Sequence, residues 1–333
     1  MIEVQGLTKT FYVHEKEPGL LGSIKSLVWR KKVPRHALKG VSFTVGEGEI
    51  LGLVGANGAG KTTVVKILAG IVAATAGRAS VLGHDPWKRD NRLRRQIALI
   101  MGQKAQLWWD LPAADGFLLL KEIYQIEDRR FRETLDYLTA VLGIGPELKV
   151  QVRRLSLGER MKMELVAALL HSPRVVFLDE PTIGLDLTAQ RAIREFLLRY
   201  REDHRPAMIL TSHYMEDIER LAKRIVILRR GEVVFDGPLQ AVAERYTTSK
   251  ILIARLADGA PERTMPPELA ALGRVLAEGP DLVKIEVPRA RVTEAASRLL
   301  ERYEVADLAI EEEDIGTVIE AIMQDRARGQ ETR

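Results

Sequence analysis

The chain has 333 residues, of which 46% are hydrophobic, so it is long enough for two domains and has an ordinary globular composition. It contains no cysteine, which excludes disulfide bridges, thiolate metal sites and cysteine nucleophiles. Its net charge is only +4, which is too small to predict a nucleic-acid partner, and the absence of a leader-like segment or a long apolar run predicts a cytoplasmic protein.

The N-terminal part of the chain is predicted to hold two strands separated by a basic segment. Residues 2–12 alternate loosely between apolar and polar side chains and end in Phe11 and Tyr12, which predicts a half-buried strand. Residues 20–35 place apolar side chains at helical spacing among several cations, which predicts a short basic amphipathic helix. That helix fits either contact with anionic lipid headgroups or a solvated surface flap. Residues 41–45 then alternate as a second strand.

A glycine-rich stretch at residues 55–62, GANGAGKT, fits the phosphate-loop pattern G-x-x-x-x-G-K-[ST]. An apolar run at 50–54 predicts a buried strand before it, and residues 63–70 predict a helix after it. Glycines let backbone N–H groups converge on a phosphate, and the helix N-terminus adds partial positive charge. We therefore predict that Lys61 contacts the β- and γ-phosphates of a nucleotide and that the Thr62 hydroxyl ligates Mg²⁺. The predicted nucleotide-contacting residues here are Gly55, Asn57, Gly58, Ala59, Gly60, Lys61, Thr62 and Thr63.

Beyond the phosphate loop the chain alternates strands and helices, with one helical insertion. Residues 97–101 predict a strand that ends just before Gln103. From about 103 to 172 the apolar residues recur at helical spacing, and the last helix of this insertion opens with LSLGER at 155–160. Alternating strands and helices resume after the insertion and continue to a hairpin turn at Gly231.

Two acids follow the buried strand predicted at residues 174–178. These are Asp179 and Glu180, and a helix-breaking proline comes directly after them. Downstream of a phosphate loop, acids at such a strand end lie near bound Mg²⁺ and the γ-phosphate. We predict that Asp179 holds Mg²⁺ and that Glu180 accepts a proton from the attacking water. For the strand considered alone, a hydrogen-bonded acid pair without catalytic function is the alternative.

The sequence pattern changes near residue 245 and predicts a second, small α+β domain over about 250–325. This part of the chain has no histidine, no cysteine and no glycine-rich phosphate motif, so a regulatory or assembly role is favoured over chemistry. The predicted strands are 251–256, 282–287 and 305–310, and the predicted helices are 290–303 and 315–323.

The motifs of residues 1–245 resemble those of the ATP-binding cassette (ABC) ATPases, the nucleotide-binding subunits of ABC transporters. In order, they are GANGAGKT at 55–62, Gln103 after a strand, LSLGER at 155–160, VVFLDEP and IGLD within 175–186, and TSH at 211–213. LSLGER is the most specific; it departs from the usual LSGGQ at Leu157 and Glu159. The resemblance implies an α/β P-loop NTPase cassette, with a mostly parallel sheet, an antiparallel edge and a helical insertion, that hydrolyses ATP with Mg²⁺.

The resemblance also implies roles for individual residues. His213 would sense the γ-phosphate, Gln103 would link the attacking water and Mg²⁺ to the insertion, and Asp186 would cross a dimer seam. Either Phe11 or Tyr12 would stack on adenine. The signature motif would contact ATP bound to a second cassette, so that a homodimer or a pair of paralogous cassettes closes around two ATP molecules. The signature residues concerned are Ser156, Gly158 and Glu159.

A finer resemblance is to the cassettes of ABC-2-type exporters, which often carry a small accessory domain after the ATPase. It implies separate transmembrane permease subunits, a position on the inner face of the cell membrane and no nucleic-acid partner. The rival function is a soluble ABC protein that acts on ribosomes or DNA, and the single cassette and the lack of sustained heptads disfavour it. The cargo, the direction of transport and the choice between homodimer and heterodimer stay open.

Adjacent tryptophans, Trp108 and Trp109, follow Gln103 and predict a groove for a cytoplasmic helix of the permease. The alternative is that both rings pack inside the helical insertion. Adjacent residues of a helix or strand do not easily face one core, so we expect at least one ring to be exposed in the isolated subunit.

Overall fold

In a computed structural model, the chain forms two compact units, residues 1–237 and 238–333. The structure describes residues 1–14, 32–102, 104–247, 249–257, 273–278, 282–313 and 315–323. The predicted glutamine site at Gln103 and most of the predicted basic helix therefore lie outside the described residues. Within the described ranges, no helix is both long enough and apolar enough to cross a bilayer.

The first unit is built on two sheets. Its strands are β1 (Ile2–His14), β2 (Lys32–Val45), β3 (Ile50–Val54), β4 (Ala76–Val81), β5 (Ile97–Met101), β6 (Val175–Asp179), β7 (Ala207–Thr211), β8 (Arg224–Arg229) and β9 (Glu232–Pro238). The larger sheet has the order β5-β6-β7-β3-β8-β9. Its first five strands in this order, β5, β6, β7, β3 and β8, are parallel to one another. A two-residue turn at Arg230 and Gly231 returns the chain from β8 into β9. The predicted parallel sheet with an antiparallel edge is confirmed.

The central strands of this sheet are apolar because both of their faces are covered. Every residue of β3, β6 and β7 is buried, as continuous apolar runs in a parallel sheet require. Leu53 of β3, Phe177 of β6 and Ile209 of β7 share one core with Val64 and Leu68 of the following helix. This core holds the ends of the strands in place, and it therefore sets the positions of the polar residues at and directly after those ends.

The smaller sheet is antiparallel, in the order β2-β1-β4, and it corrects part of the sequence analysis. Strand β1 pairs with β2 from Ile2↔Val45 to His14↔Lys32. Residues 32–35 therefore belong to a strand, and their assignment to the basic amphipathic helix was wrong. The backbone ladder with β1 outweighs the local helical spacing of these side chains, because tertiary pairing routinely overrides intrinsic propensity.

The helices of the first unit are α1 (Lys61–Leu68), α2 (Asn91–Arg94), α3 (Ala113–Tyr124), α4 (Asp128–Leu142), α5 (Leu157–Leu169), α6 (Leu187–His204) and α7 (Met215–Leu221). Helices α3 to α5 form the predicted insertion between β5 and β6. Helix α4 has ordinary start and stop signals. The Glu127 side chain accepts hydrogen bonds from the first amides of α4, and Gly143 ends α4 in a left-handed conformation with φ of 62°.

The second unit is a small α+β fold. Its elements are α8 (Gln240–Tyr246), β10 (Ser249–Leu256), β11 (Arg274–Glu278), β12 (Leu282–Pro288), α9 (Val292–Arg302), β13 (Val305–Glu312) and α10 (Ile315–Met323). The strands form an antiparallel sheet in the order β11-β12-β10-β13. Leu252 and Ile285 of the sheet pack against Ala295 and Leu299 of α9. Strand β11 was not predicted, and the predicted limits of the two domains stay a prediction.

Candidate functional site

The phosphate loop joins β3 to α1 and lines a cleft of about 650 Å³. Gly60 precedes α1 with φ of 112°, and a Cβ at this position would lie 2.8 Å from the carbonyl oxygen of Ala37. Both the backbone conformation and the close approach of β2 therefore require glycine there. The residues that line the cleft are Phe11, Tyr12, Val13, Arg35, His36, Ala37, Ala56, Asn57, Gly58, Ala59, Gly60, Lys61, Thr62, Thr63 and Glu180.

Lys61 is almost completely buried at the start of α1. Its Nζ donates to the carbonyl oxygen of Gly55 at 2.5 Å and to that of Ala56 at 3.3 Å. Burial lowers the pKa of the Lys61 ammonium, and the carboxylates of Glu180 and Asp179 oppose that decrease. A desolvated cation held mainly by neutral carbonyl groups is well suited to an anionic ligand in the same cleft.

Asp179, at the end of β6, lies beside two threonine hydroxyls. Thr62 Oγ1 donates to Asp179 Oδ1 at 3.3 Å, and Thr211 Oγ1 donates to the same oxygen at 2.6 Å. The structure thus brings together Thr62 and Asp179, two of the three residues predicted to hold Mg²⁺; the third, Gln103, lies outside the described residues. In the described part of the chain no three acidic or histidine side chains form a metal cluster, so Mg²⁺ would need further oxygen ligands from phosphates and water. The hydroxyl and carboxylate oxygens fit that hard cation.

Glu180 comes directly after β6 and has φ of 59°, an uncommon left-handed conformation for a residue with a side chain. Its N–H donates to the carbonyl oxygen of Thr211 at 3.0 Å, which holds this conformation. Its Oε1 lies 2.8 Å from His213 Nε2. A Cβ at Gly102 would lie 2.1 Å from the Glu180 carbonyl oxygen, so this glycine permits the close approach of the chain after β5. The structure therefore brings the predicted base and the predicted γ-phosphate sensor together.

The far end of the cleft is formed by the paired strands β1 and β2. Phe11 and Tyr12 both line it, with 38% and 66% of their surfaces exposed, so either ring is available to stack on a base. Arg35 and His36 of β2 also line the cleft, and His36 Nδ1 lies 3.0 Å from Thr10 Oγ1. Sequence reasoning missed both because their position depends on the β1–β2 pairing.

The signature residues lie at the start of α5, and none of them is among the described residues that line the cleft. Ser156 caps α5 in a reciprocal arrangement: its Oγ accepts from the Glu159 N–H at 3.3 Å, and its N–H and Oγ each donate to Glu159 Oε2 at 2.8 Å. These hydrogen bonds lower the pKa of the Glu159 carboxyl. A Cβ at Gly158 would lie 2.9 Å from Ala189 Cβ, so Gly158 allows α5 to pack closely on α6.

Two of the predicted groups are thus separate from the cleft within one chain. Of the described residues that line the cleft, none belongs to the signature, and Asp186 is not among them either. Asp186 instead caps α6, because its Oδ1 accepts from the Ala189 N–H at 2.8 Å. In the dimer predicted above, these residues would come to a bound ATP from a second chain.

The adjacent tryptophans are exposed on the helical insertion. Trp108 and Trp109 have 46% and 54% of their surfaces exposed, which confirms the prediction that at least one ring faces solvent. The Arg160 guanidinium lies 5.0 Å from the centroid of the Trp109 ring. Trp109 and Arg160 line a groove of about 210 Å³ together with Leu157, Gly102 and other residues.

The sequence is similar to two known families and to several known proteins. Residues 38–183 match the family described as ABC transporter, and residues 249–311 match the EvrA-like ABC transporter, C-terminal domain. The chain is 30% identical to the doxorubicin resistance ATP-binding protein DrrA of Mycobacterium tuberculosis, over 87% of this chain and 89% of DrrA. It is 32% identical to the Nod factor export ATP-binding protein I of Rhizobium sp. (strain N33), over 65% of this chain and 70% of that protein.

Two solved structures share the fold. The ATP-binding subunit of an ABC transporter superposes with a TM-score of 0.60 and 25% identity, over 74% of this chain and 92% of that subunit. A dimeric ATP-binding cassette in a post-hydrolysis state with ADP and Pi superposes with a TM-score of 0.58 and 22% identity, over 72% and 98% of the respective chains.

Proposed function

The chain belongs to the ABC transporter ATP-binding proteins, and on that premise we propose that it is the ATP-hydrolysing subunit of an ABC-2-type exporter. The main support for this proposal is that Lys61, Asp179 and the Glu180–His213 pair lie at or next to one phosphate-loop cleft. The similarity to the Nod factor export ATP-binding protein I supports the exporter assignment, and the similarity to DrrA extends over both compact units of the chain. No feature of the described residues favours the ribosome- or DNA-directed alternative.

The residues of the cleft divide the work of hydrolysis among them. Lys61 binds the β- and γ-phosphates. Thr62 and Asp179 would hold Mg²⁺, which when bound would neutralise charge on the same phosphates. Glu180 orients the attacking water and takes its proton as the water oxygen bonds to the γ-phosphorus. The bond from that phosphorus to the oxygen bridging the β- and γ-phosphates breaks, and the bridging oxygen leaves with ADP. His213 Nε2, at 2.8 Å from Glu180 Oε1, holds that carboxylate toward the cleft and contacts the γ-phosphate. The chain would thus supply the general base, the cationic side chain that contacts the phosphates, and the metal ligands.

The composite site requires a second cassette, either another copy of this chain or a paralogue. Ser156 and the amides at the start of α5, where the Glu159 carboxylate accepts from the Ser156 N–H and Oγ, would form the anion-binding surface contributed to the site of the second cassette. Head-to-tail pairing brings Ser156 of one cassette to the γ-phosphate held by the other, with Asp186 at the seam. Hydrolysis removes the γ-phosphate that joins the two halves, so they separate.

We predict that the Glu180→Gln variant forms dimers in the presence of Mg²⁺ and ATP, because the bridging nucleotide then persists. Analytical ultracentrifugation with ATP, and with ADP as the control, measures this. Adding Ser156→Arg to the same variant should abolish the dimer, since a bulky cation then occupies the anion-binding helix end. A Glu180→Gln protein that stays monomeric at saturating ATP, both alone and when purified with its membrane partner, contradicts the composite site.

The exposed groove near Trp109 is our proposed contact with a permease, which would hold the subunit on the inner face of the membrane. Large aromatic side chains beside a cavity supply the buried anchors typical of protein interfaces. Leu118 and Ile123 of α3 are also exposed, so the insertion presents apolar surface beyond the two tryptophans. The second unit, which matches a C-terminal domain of other ABC transporters, would serve assembly or regulation rather than hydrolysis.

We predict that Trp108→Ala and Trp109→Ala each retain the ATPase activity of the free subunit but reduce its co-purification with the permease. Neither ring lies among the described residues of the nucleotide cleft, and both rings are exposed. Trp87→Ala is the matched control, because Trp87 is equally exposed and also lies under an arginine, Arg89, at 4.6 Å. Normal assembly of both variants with the permease would show that the groove is not the docking surface.

A further inference from the structure

A fully buried acid, Asp217 of α7, lies at the centre of a hydrogen-bonded network behind the candidate site. Its Oδ1 accepts from Arg194 Nε at 2.6 Å. Its Oδ2 accepts from two hydroxyl groups, those of Thr182 and of Ser212, the latter at 2.6 Å. Both carboxylate oxygens are therefore used, and α6, α7 and two loops meet at this one side chain.

Arg194 completes the network on the side of α6. Its guanidinium also reaches Glu216 Oε1 at 2.6 Å and Gln190 Oε1 at 3.0 Å. Gln190 Nε2 in turn donates to the carbonyl oxygen of Leu185 at 3.1 Å. The buried cation and the buried anion are thus both paired and hydrogen-bonded, which is the condition under which ions are tolerated in a protein interior.

The two loops that share Asp217 carry the groups assigned to the γ-phosphate and to the dimer seam. Thr182 follows the predicted base Glu180 by two positions, and Leu185, held through Gln190, directly precedes Asp186. Ser212 directly precedes His213, and the Ser212 Oγ also accepts from the Tyr214 N–H at 3.0 Å. Neither Thr182 nor Ser212 is among the residues assigned to the nucleotide, and the hydroxyl of each donates to Asp217 Oδ2.

We propose that Asp217 is a positioning residue that couples the segment of residues 182–186 to the segment of residues 211–214. The proposal rests on the function proposed above. One carboxylate oxygen accepts from both loops, so a shift of either loop alone would leave a buried hydroxyl or carboxylate without its partner. His213 and Asp186 therefore move as one unit. The presence or loss of the γ-phosphate, sensed by His213, thus changes the position of Asp186 at the interface with the other cassette.

The test uses Asp217→Asn, which keeps the shape of the side chain but removes its charge and one of its two acceptor atoms. In the full chain, kcat for ATP is expected to fall by about tenfold or more, while the Kd for ATP stays within about threefold, as expected when catalytic groups are displaced but the phosphate loop is intact. In the His213→Ala background the same substitution should have little further effect, because its consequence passes through His213. Arg191→Lys is the control that should leave kcat unchanged, because Arg191 lies on α6 in an exposed ion pair with Glu195.

A second readout does not depend on hydrolysis. In the Glu180→Gln background, ATP binding should slow the amide hydrogen exchange of both segments, measured on peptides that cover residues 182–186 and 211–214. When Asp217→Asn is added, exchange should slow in only one of the two segments. If Asp217→Asn does not fold, Ser212→Ala is measured in the same two backgrounds, with the same expectations. Equal losses of kcat with and without His213, or unchanged joint protection in the variant, overturn the proposal. An inactive parent that still shows joint protection by ATP contradicts the proposed hydrolysis and leaves the coupling supported.

Discussion

Replacement of Glu180 by glutamine is expected to lower ATP turnover by about a hundredfold or more and to leave ATP binding intact, as is typical when a positioned general base is removed. The amide has the shape of the carboxylate and can still hydrogen-bond to His213 Nε2, which lies 2.8 Å from Glu180 Oε1. It cannot accept the proton of the attacking water. The loss should therefore appear in kcat and not in the affinity for ATP.

Steady-state phosphate release by the purified chain, together with equilibrium ATP binding, measures the two quantities separately. Glu133→Gln is a matched control, since Glu133 lies in an exposed ion pair with Arg129 on the helical insertion. Turnover by Glu180→Gln above half the parent rate would remove Glu180 from the role of base.

Replacement of Lys61 by alanine has the second large expected effect, a loss of nucleotide affinity of about tenfold to a hundredfold, the usual worth of a charge-assisted hydrogen bond. Lys61 is the buried cation of the phosphate loop, and its Nζ already lies within 3.3 Å of two loop carbonyl oxygens. Without this charge, the amides of the loop alone face the β- and γ-phosphates.

Titration with a fluorescent ATP analogue gives the Kd for Lys61→Ala, and thermal unfolding without nucleotide checks that the variant is folded. Lys66→Ala serves as the control because Lys66 lies in the last turn of the same helix. An unchanged Kd for Lys61→Ala would contradict the assigned contact with the phosphates.

The parts of the site that sequence could predict are those that follow directly from one strand or helix. The phosphate loop follows β3, Asp179 ends β6 and Glu180 comes directly after it, so an apolar run and its polar end were sufficient. The position of Thr211 was different. It neighbours Asp179 because β6 and β7 pair in register at these two residues, and a single sequence carries no signal for that register.

Longer-range partners account for the remaining differences. Arg35 and His36 reach the cleft only because β2 begins at Lys32, where the side-chain spacing had predicted a helix. Asp217 lies in an ordinary charged stretch of α7, and its burial depends on Arg194 of another helix. In each case the missing information is the partner element, not the local conformation.

The last pair of the β1–β2 ladder, His14↔Lys32, bears on how this protein could be altered. This pairing places His14 and Lys32 directly opposite each other, so the wall of the cleft at Phe11 and Arg35 is held by the ladder itself. The entropy of closing a flexible stretch between two such positions rises by only about 0.6 kcal/mol for each doubling of its length. A spectroscopic label or an affinity tag inserted between His14 and Lys32 is therefore expected to leave the strand pairing in place.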